Sequence, residues 1–192
     1  MRLQYQQIPL TEKPNSPLHP RNWPVWAASA GMYLLSRPNL KRRTQIGKTL
    51  GNLSYHIAHE RRKIAATNIN ACFPELSQAE RKTLVKKTLV ENVVGVVETA
   101  AAWWRSPQEF LECTDFYGTE NLLKPLEEGH GVLLIGGHYT TLDMGGALLS
   151  LVTNYDVTYR ANNDPVIDWM IRKGREQFTT HQIERTQVRS IF

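Results

Sequence analysis

The chain contains 192 residues, of which 41% are hydrophobic and 21% are charged, so it can bury the core of a globular domain. Its net charge of +5 and pI of about 9.3 indicate an anionic partner, such as a membrane surface or a phosphorylated substrate. Nucleic acid is not expected as that partner, because the aromatic and basic residues do not interleave in any recognised nucleic-acid-binding module.

The N-terminal region combines a polar arm with a short uncharged segment. Residues 1–22 are polar and proline-rich, which predicts an extended arm. Asn22–Ser36 carries no charge and is bracketed by Arg21 and Arg37. A spanning helix needs ~20 apolar residues, so this segment predicts a membrane-contacting helix that either spans or lies on the bilayer, with a core helix as the alternative. The basic residues at 41–43 would place its C-terminal side in the cytoplasm.

Two longer helices are predicted next. Residues 44–71 place apolar side chains at helical spacing, and Pro74 ends that region. Ser77 and Glu80 match a capping box, which predicts the start of a helix that ends before Pro107.

The second half predicts alternating strands and helices. Val132–Ile135 is an aliphatic run typical of a buried strand, and Asp156–Arg160 predicts a second strand. Helices are predicted between them from Leu142 to Leu151, after them over residues 165–177, and again from about Gln182. The fold class is therefore α/β: a mostly parallel sheet flanked by helices, incomplete in this chain, with an N-terminal membrane-associated helix.

Cysteine usage indicates a reducing compartment and no metal. Cys72 and Cys113 form neither a C-x-x-C pair nor a Cys/His cluster, so we expect buried, reduced thiols in a cytoplasmic setting. No metal ion and no cofactor are expected in the protein itself.

His138 and Asp143 are the candidate chemical groups. His138 follows the first predicted strand and two glycines, and functional groups collect at the carboxyl ends of parallel strands. Residues five apart within one helix point about 140° apart, so the pair meets only if His138 lies on the loop before the helix. Asp143 would then orient the imidazole, which would accept a proton from an attacking hydroxyl.

Other interpretations of these residues stay open. His138 also fits an ordinary loop histidine, and Asp143 fits a helix-start carboxylate at N3 with Thr140 as the N-cap. The GGH turn, residues 136–138, also fits a phosphate-binding βαβ module, although no P-loop or dinucleotide fingerprint is present.

The stretch GGHYTTLDMGG resembles the H-x-x-x-x-D motif of the lipid acyltransferases, and the wider chain resembles the late acyltransferases of lipid A biosynthesis, the lauroyl/myristoyl transferase family. Four stretches carry this resemblance and lie in the family's order: LHPRNWPVW (18–26), ERRKIAATNINACFPELSQAER (60–81), GHGVLLIGGHYTTLD (129–143) and TYRANNDPVIDWMIRKGRE (158–176).

The resemblance implies an O-acyltransferase at the cytoplasmic face of a bacterial inner membrane, held by a single N-terminal anchor. It would transfer a fatty acyl chain from acyl carrier protein to a hydroxyl of a Kdo-bearing lipid A precursor. The resemblance makes His138 the base and Asp143 its orienting partner. Arg160 would bind phosphate or stabilise the tetrahedral oxyanion, with an exposed strand-end arginine as the alternative. Arg175 would bind the phosphorylated substrate or the acidic carrier protein, with a solvated helix face as the alternative.

The resemblance also implies a division of the chain. Residues 1–43 would form the polar arm and anchor helix, and residues 44–192 the N-terminal part of an acyltransferase domain. Family members continue with further strands, so the chain is expected to be truncated at the C-terminus. The alternative function is a non-catalytic homologue that binds only membrane or phosphorylated lipid.

Overall fold

The structure, a computed structural model, describes residues 17–190; most of the predicted arm, and the last two residues, lie outside this range. The described part is mostly helical with one small parallel sheet, which supports an α/β class at this coarse level. The described residues divide into two compact units, one of residues 17–27 with 102–190 and the other of residues 28–101. The predicted boundary at residue 43 stays a prediction.

The elements run in the following order along the chain. The helices and strands are α1 (Trp23–Ser36), α2 (Leu40–Ile57), α3 (His59–Cys72), α4 (Gln78–Trp104), α5 (Glu120–Glu127), α6 (Leu142–Leu149), β1 (Val157–Tyr159), α7 (Pro165–Arg175) and β2 (Gln182–Glu184). Short 3-10 helices cover Pro20–Asn22, Pro107–Cys113 and Arg185–Ser190.

Helix α1 confirms the helix predicted for the uncharged segment. Its 14 residues begin at Trp23 and end at Ser36. Across residues 17–190 no helix is both long and apolar enough to cross a membrane, so the predicted single N-terminal anchor is not supported as a spanning helix. Near its start, the Trp26 Nε1–H donates to the carbonyl of Pro17 at 2.7 Å, and the Trp26 ring meets Trp169 of α7 edge-on at 5.9 Å.

The helix predicted over 44–71 is two helices. Ala58 has φ −86° and ψ 63°, outside the helical region, and separates α2 from α3. Helix α2 begins earlier than predicted because the Asn39 side chain caps it, accepting from the N–H of Arg42 at 3.0 Å.

The capping box before α4 is confirmed. The Ser77 N–H donates to Glu80 Oε2 at 2.8 Å, and the Glu80 N–H donates to Ser77 Oγ at 3.3 Å. These hydrogen bonds lower the pKa of Glu80. The helix ends at Trp104, before Pro107 as predicted.

The core of the unit of residues 28–101 forms where its helices approach closely. A Cβ on Gly51 would lie 2.7 Å from Cα of Val90, and a Cβ on Gly47 would lie 3.1 Å from Cα of Val94, so both glycines let α2 lie directly on α4. A second cluster joins α3 and α4 through Ile69, Val85 and Leu89, all of which are buried. Burial of these apolar side chains is the main favourable term in folding this unit.

The sheet consists of β1 and β2 in parallel, with Val157 opposite Gln182 and Tyr159 opposite Glu184. Strand β1 was predicted, but β2 occupies the position where a helix was predicted to begin, so that prediction was wrong. Helix α7 makes the crossover between the two strands. Its start is confirmed, because Asp164 accepts from the N–H groups of Val166 and Ile167 at 2.9 and 3.1 Å.

The strand predicted at Val132–Ile135 is absent; residues 131–139 are irregular and mostly exposed. Leu133 is 83% and Ile135 91% exposed. A strand requires a neighbour for its backbone hydrogen bonds, and β1 pairs with β2 instead. The predicted burial of the thiols was also wrong, since Cys72 and Cys113 are free and exposed.

Candidate functional site

Asp143 lies in the first turn of α6 and accepts hydrogen bonds from two distant side chains. Trp103 Nε1–H donates to Oδ2 at 3.1 Å, and Arg175 Nε–H donates to Oδ1 at 2.8 Å. Only 11% of the Asp143 side chain and 21% of the Arg175 side chain are exposed. Because solvent has little access, this ion pair is more strongly coupled than one on the surface.

Trp103 reaches Asp143 because Gly174 leaves room for its indole. Trp103 is buried at the end of α4, and its ring lies on the backbone of α7 at Gly174. A Cβ at position 174 would overlap the indole carbons, closer than real Cβ contacts ever are. The end of α4, the start of α6 and the end of α7 therefore converge at one carboxylate.

Tyr155 adds a neutral phenol beside this carboxylate. Its hydroxyl lies over α6, 2.6 Å from where a Cβ on Gly146 would be. Burial, and then the charge of Asp143, raise the pKa of Tyr155 from 10.0 to about 12, while the charge of Arg175 opposes the shift. The phenol therefore keeps its proton at physiological pH.

His138 lies on the irregular segment before α6, as the dyad interpretation requires, and its side chain is exposed. Throughout residues 17–190, its imidazole forms no hydrogen bond or ion pair, and both oxygens of Asp143 bind other donors. The structure thus brings Asp143 to Arg175 and leaves the pairing of His138 with Asp143 a prediction.

The two predicted substrate-binding arginines differ in their surroundings. Arg160 follows the last residue of β1 and is exposed. Arg175 is largely buried and donates to Asp143. Contact of either arginine with substrate stays a prediction.

Sequence reasoning missed Trp103 and Tyr155. Trp103 resembles one more apolar residue of a long helix, although a buried indole N–H needs an acceptor. That requirement was the available signal, but it could not identify an acceptor 40 residues away. The described residues contain no group of three or more His, Cys, Asp or Glu placed to hold a metal ion.

The family model and the relatives that match this chain all concern lipid A biosynthesis acyltransferases. The model of the bacterial lipid A biosynthesis acyltransferase family matches residues 10–192. The lipid A biosynthesis lauroyltransferase of Escherichia coli K12 is 29% identical over 91% of this chain and 57% of its own length, and the palmitoleoyltransferase is 27% identical over the same shares. The myristoyltransferase of that strain is 25% identical over 83% of this chain and 50% of its own length.

No solved structure matches the chain closely enough to be significant. The chain spans between half and three-fifths of the length of these relatives. The family match covers almost all of the chain, including His138, Asp143, Arg160 and Arg175. The chain therefore belongs to the bacterial lipid A biosynthesis acyltransferase family.

Proposed function

We propose that the protein is an acyl-acyl carrier protein-dependent O-acyltransferase that esterifies a hydroxyl of a Kdo-bearing lipid A precursor. The family match over residues 10–192 carries this proposal, because it includes the whole H-x-x-x-x-D motif. The names of the relatives, which are lauroyl-, palmitoleoyl- and myristoyltransferases of lipid A biosynthesis, support the reaction class.

His138 acts as the base in the proposed reaction. Its exposed imidazole is open to a substrate hydroxyl. It accepts the hydroxyl proton while the oxygen attacks the thioester carbonyl of the acyl donor. The tetrahedral oxyanion then collapses, a C–O bond replaces the C–S bond, and the carrier thiol leaves with the proton from His138. Asp143 orients the imidazole and stabilises its cation.

Arg160 and Arg175 supply positive charge toward the substrate. The exposed guanidinium of Arg160 is proposed to bind a phosphate of the precursor or to stabilise the oxyanion. Arg175 is proposed to contribute through the guanidinium nitrogens that are not engaged by Asp143. The reaction needs no metal ion or prosthetic group of the protein.

Helix α1 is proposed to lie on the cytoplasmic face of the inner membrane. Trp23 is 64% and Leu34 67% exposed on this helix, and Arg37, Lys41 and Arg42 follow as exposed cations. Apolar side chains beside basic ones are typical of helices that bind the interface of anionic membranes.

The decisive experiment measures transfer of a radiolabelled acyl group from acyl carrier protein to a lipid A precursor in mixed micelles. His138→Ala is expected to abolish transfer, and Asp143→Ala to reduce it about 10²–10⁴-fold, the usual range for general acid–base catalysis. His130→Ala is the matched control, because His130 is an exposed histidine eight residues earlier and is expected to have no effect. Full activity in His138→Ala would contradict the mechanism.

A second candidate function is binding of membrane or phosphorylated lipid without turnover. The absence of a His138–Asp143 hydrogen bond among residues 17–190 favours it. It predicts that the chain binds anionic vesicles containing the precursor while no labelled acyl group is transferred.

A further inference from the structure

Two donors from two different helices fix the Asp143 carboxylate. Trp103 at the end of α4 donates to Oδ2, and Arg175 at the end of α7 donates to Oδ1. We propose that Trp103 and Arg175 are positioning residues, which hold this carboxylate in the orientation that receives the imidazole of His138. This inference rests on the proposed acyl transfer.

The two contacts restrain the carboxylate in different ways. The rigid indole of Trp103 is buried against Gly174, so its N–H has a fixed direction. The guanidinium of Arg175 donates through Nε, which lies closest to its own helix and leaves the side chain little freedom. With each oxygen held by a separate donor, the carboxylate cannot rotate without breaking a charge-assisted hydrogen bond.

The contacts leave room for the imidazole. An ionised carboxylate offers about four lone-pair positions, and Trp103 and Arg175 occupy two of them. An N–H of His138 can therefore bind Asp143 without displacing either donor. This distinguishes a positioning role from an inhibitory one.

The arrangement also identifies which group moves when the pair forms. Asp143 is tied to α4 and α7, whereas His138 follows Gly136 and Gly137 on an exposed segment without helix or strand. The imidazole approaches a stationary carboxylate. A stationary partner is valuable in catalysis because a misplacement of about 1 Å can cost on the order of 10²-fold in rate.

The variants Trp103→Phe and Arg175→Lys test the proposal. Phenylalanine keeps a ring on Gly174 without the N–H, and lysine keeps the charge without the fixed planar donor. Trp103→Phe is expected to lower kcat about 10- to 100-fold with KM unchanged, and Arg175→Lys is expected to lower kcat over the same range. Trp169→Phe and Arg105→Lys are the controls; Arg105 also donates through Nε to a carboxylate, that of Glu109 at 3.0 Å, and neither change should affect kcat.

A double-mutant cycle separates positioning from general destabilisation. In an Asp143→Asn background, Trp103→Phe and Arg175→Lys are expected to have little further effect on kcat, because the group they position is gone. Undiminished effects in that background would overturn the proposal. A raised KM with normal kcat in Arg175→Lys would limit Arg175 to substrate binding and would overturn its positioning role.

An NMR measurement on the Trp103 indole N–H tests the positioning role without requiring acyl transfer, so it separates this inference from the proposed function. The ¹⁵N NMR spectrum should show a Trp103 indole N–H that is protected from solvent exchange, and Asp143→Asn should shift it and accelerate its exchange. If the unmodified chain transfers no acyl group, the proposed function fails while this measurement still decides the positioning. An indole signal unaffected by Asp143→Asn would overturn it.

Discussion

At the scale of single residues, the contacts of Asp143 distinguish it from an ordinary carboxylate at a helix start. The sequence allowed a plain helix-start carboxylate with Thr140 as the N-cap, but α6 begins at Leu142 and its N-cap is Thr141, which makes no side-chain capping bond. Both carboxylate oxygens bind side chains, from Trp103 and Arg175. Asp143 is therefore the centre of a tertiary hydrogen-bond network that joins three helices.

The titration of Tyr155 reports directly on the charge of Asp143. Asp143→Asn is expected to lower the pKa of Tyr155 from about 12 toward 10.0, because it removes a negative charge that favours the neutral phenol. The measurement is a ¹³C NMR titration of the tyrosine ring carbons. Glu109→Gln removes a carboxylate that is paired with Arg105, and it should leave the titration unchanged. An unchanged pKa in Asp143→Asn would contradict the proximity of the two groups.

The same pKa shift links stability to alkaline pH. The folded state favours protonated Tyr155, so this contribution to stability is fully present below pH 10.0 and is lost as the pH rises to about 12. The variant Tyr155→Phe should therefore lose less free energy of unfolding than the unmodified protein as the pH rises from 10.0 to about 12.

At the scale of elements, the contact between α4 and α7 depends on a missing side chain. Gly174 lies in the last turn of α7 and is buried under the Trp103 ring. Glycine usually weakens a helix interior by about 1 kcal/mol relative to alanine. Its presence here is explained by the close approach of the indole rather than by helix propensity.

Gly174→Ala is expected to destabilise the protein by about 1–3 kcal/mol, the usual range for overpacking, because the new Cβ displaces the Trp103 ring. Chemical denaturation measures the free energy of unfolding. Gly145→Ala in α6 is the matched control; nothing lies within 4 Å of its Cβ position, so the change should raise stability by about 0.5–1 kcal/mol. Equal stabilisation by both changes would contradict the packing.

The segment Val132–Ile135 shows what an aliphatic run cannot determine alone. Its sequence fits a strand covered on both faces, yet Leu133 and Ile135 are exposed. Strand formation depends on a partner whose position is set by the rest of the fold. In the described chain, β1 takes its partner from residues 182–184.

At the scale of the whole molecule, the described residues of each unit include a partly buried carboxylate, and the surroundings of the two differ. In the unit of residues 28–101, Glu98 Oε2 is buried and has no hydrogen-bond partner among the described residues. Burial raises the pKa of Glu98, the charge of Glu91 adds to the shift, and the charge of Arg43 opposes it. In the other unit, each oxygen of Asp143 accepts a hydrogen bond from one donor.

Glu98→Gln is expected to raise the free energy of unfolding at pH 7 by about 1 kcal/mol, because an amide costs less than a charged carboxylate to leave buried without a partner. Because its pKa is raised in the folded state, protonated Glu98 contributes stability that is fully present below pH 4.5. That contribution is lost as the pH rises through the folded-state pKa. The gain should therefore shrink at pH 4. Denaturant titrations at both pH values measure it, with exposed Glu75→Gln as the control; a gain independent of pH would refute the explanation.

Local signals sufficed for much of the chain. The capping box at Ser77, the helix start at Pro165 and the stop before Pro107 were confirmed, because each depends on a few residues of neighbouring backbone. The family predicted from the four resembling stretches was likewise confirmed, because the family model matches residues 10–192. The catalytic use of the H-x-x-x-x-D motif stays a prediction.

Tertiary structure alone decided the rest. The partner of β1, the break at Ala58 and the exposure of residues 131–139 depend on which segments meet in space. Trp103 and Arg175 lie 40 and 32 positions from Asp143, and no local pattern joins them. The sequence by itself determined which chemical groups are present and where helices start and stop, because caps and breaks depend on neighbouring backbone atoms. The surroundings of the Asp143 carboxylate were decided by contacts between distant parts of the folded chain.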